Sequence, residues 1–170
     1  AHGCGIPVEA ELGCVPTAGT DNGPELTTVA EARAFVERTG VDFLAVSVGT
    51  VHGRLKGKPR LDTSRLRQLN EALGLPLVIH GGTGLDDAQI QRLVANGAAK
   101  INFFTALDEA AGKALGASKG AYTERLTQVI ASITEVASNY IRWCSAAGRA
   151  AEVLERCRSG ETIEHLIIYN

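Results

Sequence analysis

No two cysteines in this chain form a CxxC pair. Cys4, Cys14, Cys144 and Cys157 are widely and irregularly spaced, which argues against a sulfur-ligated zinc finger and against a scaffold built on disulfides. The plain reading is four reduced thiols in a cytoplasmic protein. A large excess of charge of one sign is also lacking. A net charge of −2 and an isoelectric point near 6.1 point away from nucleic acid and anionic membranes as partners. No apolar run approaches a membrane span in length, and the first residues lack the charged-then-apolar pattern of a secretory signal. Low-complexity tracts and short repeats are missing. So is methionine. Because the first segment, Gly5–Leu12, already reads as an interior strand, the expectation is that this is the C-terminal part of something longer.

What is present is an ordinary globular composition. Of 170 residues, 45% are hydrophobic and 21% charged, enough to bury a core. The first two-thirds alternate strand and helix. Ile6–Leu12 alternates, with Val8, Ala10 and Leu12 on one face and Glu9 and Glu11 on the other. A loop rich in Gly, Pro, Thr and Asp follows, from Cys14 to Thr28. Thr27 or Thr28 can cap the next helix, with Glu31 placed for a capping box and Gly40 as its stop. Asp42–Val48 is almost continuously apolar, as a strand buried on both faces would be. Gly49–Leu61 is a basic loop. A helix opens at Asp62 or Thr63 and closes at Gly74. Leu75–His80 is the third strand, Asp86–Ala95 the third helix, and Ala99–Phe103 the fourth strand. From there the pattern is helical: Leu107–Leu115, then Tyr122 to about Cys144, then Arg149–Cys157 after a break at Gly148. The apolar tail Ile163–Tyr169 reads as a segment that packs on something.

Strands separated by single helices imply a parallel sheet with right-handed crossovers. The spacing fits either an open doubly wound sheet or a (β/α)8 barrel. A complete barrel takes eight such units in about 250 residues, and this chain holds four.

The informative pattern is positional. Three strands present a potential metal ligand at or just beyond their C-terminal ends: Glu11, His52 and His80. That edge is where parallel α/β folds build sites, and two imidazoles with a carboxylate suit zinc. His2 and His165 fall outside the pattern and read as incidental. Gly81-Gly82-Thr83-Gly84 lies between a strand and a helix start, where backbone amides, the helix dipole and a hydroxyl favour an anion. Asn102-Phe103-Phe104-Thr105 repeats that placement one strand later. Barrels often hold phosphate after their last two strands. Arg54, Lys56, Lys58 and Arg60 make a basic loop beside His52. Such a loop is a solvated surface or an electrostatic attraction for an anionic substrate.

At these residues the sequence resembles the metal-dependent class II aldolases of the fructose- and tagatose-bisphosphate group. The resemblance is carried by Val8-Glu-Ala-Glu-Leu-Gly13, Phe43-Leu-Ala-Val-Ser-Val-Gly-Thr-Val-His-Gly53, Pro76-Leu-Val-Ile-His-Gly-Gly-Thr-Gly84 and Lys100-Ile-Asn-Phe-Phe-Thr105, in family order and spacing. It implies a (β/α)8 TIM barrel of which this chain supplies the last four βα units plus C-terminal helices. Residues 1–150 would form that half barrel and residues 151–170 an extension. It further implies His52 and His80 as two of three zinc-binding histidines, and Glu11 as a carboxylate for an alternative or second metal position. Gly53, Gly81, Gly82, Thr83, Asn102, Phe103, Phe104 and Thr105 fall in the segments that hold the substrate's phosphate and dihydroxyacetone part. Carbonyls near Gly53 and Gly81 would help seat a monovalent cation, Na+ or K+.

The implied activity is reversible aldol cleavage of a ketose phosphate to dihydroxyacetone phosphate and an aldehyde. Zn2+ would act as a Lewis acid and an Asp as general base. That Asp and the third histidine have no counterpart among these residues. The loop after Gly13 is shorter than in the family and lacks its acidic pair. Phe104 stands where an Asp or a small residue is common. The expected context is therefore a homo-oligomer acting on a phosphorylated sugar, completed by an N-terminal half or by self-association. The alternative is a non-catalytic half-barrel that binds or assembles.

Overall fold

The computed structural model describes residues 1–18, 25–53 and 59–158, without the side chains of residues 156 and 157. Four strands form one parallel sheet in the order β1-β2-β3-β4: β1 (Glu9–Leu12), β2 (Phe43–Val46), β3 (Leu77–Ile79) and β4 (Ala98–Ile101). Helices α1 (Val29–Thr39), α2 (Thr63–Leu73) and α3 (Asp87–Ala95) cross between them, and α4 (Thr105–Ala117), α5 (Tyr122–Trp143) and α6 (Ala150–Arg158) follow. Strict sequential order separates the two candidate architectures. A doubly wound sheet reverses direction partway, whereas barrel strands follow one another.

The helices begin where short polar side chains supply the acceptors that first-turn amides lack. The Thr28 hydroxyl accepts from the Glu31 amide while the Glu31 carboxylate accepts from that of Thr28. Asp86 and Gln89 form the same box at α3. Of the two residues offered as caps for α2, Asp62 serves, accepting from the Arg65 amide at 2.9 Å. At α1, Thr27 is diverted. Its buried hydroxyl donates to the Leu12 carbonyl and accepts from the Ser47 amide, tying β1 to β2. That tie also explains why β2 ends at Val46 rather than Val48.

The remaining strands are likewise shorter than their apolar runs. Ile6 and Pro7 precede the ladder, which is anchored by Val8: its amide donates to the Asp42 carboxylate at 2.6 Å and its carbonyl accepts from Asp42 and Phe43. β3 starts beyond Pro76, so His80 falls immediately past its end. His2 is not free. It lies in a short 3-10 turn, with Nε2 2.8 Å from Asp42 Oδ2, and pins the N-terminus. His165 and the Ile163–Tyr169 tail lie outside the described residues.

One sheet face packs on the helices. Leu44, Val46, Val48, Leu77 and Ile79 meet Leu66, Leu69, Ile90 and Leu93, all essentially fully buried. Tyr140 of α5 closes the end of this layer, stacked on Phe103 with ring centroids 4.1 Å apart. The other face carries Glu11, Ala45, Val78 and Lys100 in one cross-strand register. An irregularity between Leu77 and Val78 sets Lys100, not Ala99, beside Val78. Among the described residues no helix is long and apolar enough to cross a membrane.

Candidate active site

Glu11, His52 and His80 converge. One ligand atom from each lies within 4.8 Å of the others. Glu11 projects from β1 and His80 from the first residue after β3. Between them, His80 Nδ1 lies 2.5 Å from Glu11 Oε2, and the two imidazole centroids are 6.0 Å apart. His52 is held through its backbone. Its amide donates to the Pro16 carbonyl, and its carbonyl accepts from Ala18, both at 2.8 Å. The loop after β1 thus clamps the loop after β2.

Glycine is required where these loops touch. Gly81 has φ +75°, and a Cβ there would sit 2.2 Å from the Val51 carbonyl oxygen. The residues that press together, Val51 and Gly81, are the immediate neighbours of His52 and His80. The close approach of the two backbones therefore sets the spacing of the two imidazoles.

The two segments read as anion-binding are also joined. Gly82 donates to the Asn102 carbonyl at 2.9 Å, and Asn102 donates to Ile79 at 2.8 Å. Phe104 leaves the start of α4 without a side-chain cap. Thr83 supplies one from outside, its buried hydroxyl accepting the Ala106 amide at 3.2 Å. That hydroxyl keeps its own proton to donate. Phe104 itself is 74% exposed. Gly53 is described, next to His52, but Arg54, Lys56 and Lys58 lie outside the described residues; Arg60 is exposed.

Sequence reasoning missed Glu9 and Lys100 as neighbours of the cluster. Glu9 Oε1 lies 3.4 Å from His80 Nε2, and Glu9 Oε2 accepts from Lys100 Nζ at 2.7 Å. Burial pushes the Glu9 carboxyl up, but hydrogen bonds from Lys100 and His80 more than offset it, leaving it below the usual carboxylate value. Glu9 and Lys100 sit on the first and last strands of the sheet. Three interstrand spacings amount to about 14 Å when flat, so their contact marks side chains that lean together over the inner face, as in a curved barrel wall.

A parallel sheet in sequential order, with donor groups gathered over its C-terminal edge, places the chain among α/β-barrel proteins. Comparison with known proteins narrows this. Residues 1–149 match the family model described as "Fructose-bisphosphate aldolase class-II", and the chain belongs to the class II fructose-bisphosphate aldolase family. It is similar to the fructose-bisphosphate aldolase of Staphylococcus epidermidis, 38% identical over 159 residues covering 88% of this chain and 56% of that protein. The fructose-bisphosphate aldolase of Geobacillus stearothermophilus is 43% identical over 108 residues, covering 62% and 38% respectively. In three dimensions the chain resembles the crystal structure of the YdjI aldolase from Escherichia coli K12, with a TM-score of 0.78 and 35% identity over 88% of this chain and 53% of that one. The chain thus spans about half the length of the Staphylococcus epidermidis aldolase and of the YdjI aldolase.

Proposed function

We propose that this chain supplies the metal-holding and phosphate-holding part of an aldolase that reversibly cleaves a ketose phosphate to dihydroxyacetone phosphate and an aldehyde. The observation that carries this reading is the convergence of Glu11, His52 and His80 on one point above the sheet. Two imidazole nitrogens and one carboxylate oxygen suit Zn2+ in kind and number, with coordination positions left for a third protein ligand and substrate. His52 and His80 are the ligands, and Glu11 offers a movable or second position. When bound there, Zn2+ supplies Lewis-acid polarisation of the substrate's oxygens.

The chain's own residues do the rest of the binding. The Gly81–Thr83 turn and the Asn102–Thr105 turn, linked through Gly82 and Asn102, form a two-sided cradle beside the donor cluster. The Thr83 proton and the amides of these turns other than the bonded ones of Gly82 and Asn102 are the donors for an anion in such a cradle, and the N-terminus of α4 adds its dipole. Gly53 leaves backbone room next to His52 for the dihydroxyacetone part. Carbonyls around Gly53 and Gly81 are candidates for Na+ or K+. Phe104, standing where an Asp or a small residue is common, alters the sugar side of the site, so a ketose phosphate other than fructose bisphosphate fits the reading.

Aldol cleavage also needs a base and a third histidine, for which this sequence has no match. Among the described residues, β1 and β4 each pair on one side only. These open edges are where further barrel strands would join, from a preceding segment or a second copy. The reading takes the complete protein to be a homo-oligomer acting in the cytoplasm. Residues 151–170 stand as an extension to the barrel part. The test is Zn2+-dependent cleavage of ketose phosphates by the complete barrel containing this chain. Activity lost with chelator and with His80→Ala is expected. Full activity without metal would overturn the reading.

A further inference from the structure

An imidazole that offers Nδ1 to a metal carries its proton on Nε2, and that proton needs an acceptor. His80 has a carboxylate beside each ring nitrogen, as this arrangement requires. Nδ1 is turned toward Glu11 on the donor-cluster side, while Nε2 faces Glu9 Oε1 at 3.4 Å. Glu9 has no place in the Glu11–His52–His80 group. Its other oxygen is taken by Lys100 at 2.7 Å, so its carboxylate is turned and charge-balanced from the far strand. Glu9 and Glu11 share a face of β1 by strand alternation, which lets one strand address both nitrogens of one ring.

We infer that Glu9, held in place by Lys100, is a positioning residue for His80. By accepting the Nε2 proton it favours the tautomer and ring rotation that free Nδ1 for a metal, in place of the Nδ1–H that donates to Glu11 in the metal-free chain. This rests on the metal-site reading above and adds a second layer to it. Lys100 acts one step further out, through Glu9. The ligand-orienting contact is thereby carried across the sheet between strands 91 residues apart in sequence.

The test is Zn2+ affinity of the full 170-residue chain, measured by competition with a chelating dye. The visible absorption of the Co2+-loaded chain reports ring geometry alongside it. Glu9→Ala is expected to weaken Zn2+ binding by about 10- to 100-fold and to alter the Co2+ spectrum. Glu9→Gln, which keeps an acceptor oxygen, should recover part of that loss, and Lys100→Met should weaken binding less than Glu9→Ala does. A purely structural role for Glu9 would shift the unfolding midpoint without this graded recovery. Glu9→Ala binding Zn2+ within twofold of the unaltered chain would overturn the inference while leaving the donor cluster standing. Failure of the unaltered chain to bind Zn2+ would overturn the metal-site reading, and the inference with it.

Discussion

Replacing Gly81 with alanine tests how the two histidines are spaced. The added Cβ would lie 2.2 Å from the Val51 carbonyl oxygen and 2.7 Å from its carbon. Both are backbone atoms, so no side chain can swing aside. Two costs combine. A left-handed conformation costs a non-glycine residue about 1–2 kcal/mol, and forcing extra volume into a packed contact costs about 1–3 kcal/mol. The sum is about 2–5 kcal/mol. Because Val51 precedes His52 and Gly81 follows His80, relief of the clash must also move the imidazoles apart. Gly40 is the control. It has φ +64°, with nothing within 4 Å of a built Cβ, so Gly40→Ala carries only the conformational cost. Urea unfolding with Zn2+ titration of both variants separates the effects. Gly81→Ala should lose stability and Zn2+ affinity together, and Gly40→Ala a little stability alone. Unchanged Zn2+ affinity in a folded Gly81→Ala chain would refute the idea that this contact sets the spacing.

Other consequences are open to direct measurement. Thr27→Val keeps the shape but leaves the Leu12 carbonyl and Ser47 amide without their shared hydroxyl; a loss of about 2–4 kcal/mol is expected from denaturant unfolding. The Asp62 carboxyl is held below its usual value, chiefly by the Arg65 amide and then by the Ser64 hydroxyl. A depressed carboxyl stabilises the fold above its unfolded value, about 3.9, and that contribution disappears as pH falls through the lower folded value. Asp62→Asn should therefore flatten the acid limb of the stability curve below about pH 4. Leu69→Ala, at a fully buried position between α2 and the sheet, should cost about 2–5 kcal/mol.

Much of the architecture was legible because it is local. The capping pair Thr28–Glu31 marked one helix start, and Gly40 and Gly74 marked two ends. Strand ends were less legible, since pairing partners rather than apolar character decide them. Ser47 is as buried as Val46 but bonds to Thr27, so β2 stops between them. Glu11, His52 and His80 could be picked out because each sits near the C-terminal end of an evident strand. Glu9 and Lys100 could not be paired, because their contact depends on how far the sheet curls, which no short pattern encodes. Thr83 was legible as a polar residue of an anion-binding turn. Its second task, capping α4 from outside, follows from Phe104 offering no cap of its own.

Zinc K-edge X-ray absorption of the chain loaded with one equivalent of Zn2+ tests the donor assignment most directly. The expected spectrum has imidazole nitrogen and oxygen scatterers at about 2.0–2.2 Å, with the histidine signal reduced in His80→Ala. A sulfur shell at about 2.3 Å, or a histidine signal unchanged in His80→Ala, would contradict a metal centre built on Glu11, His52 and His80.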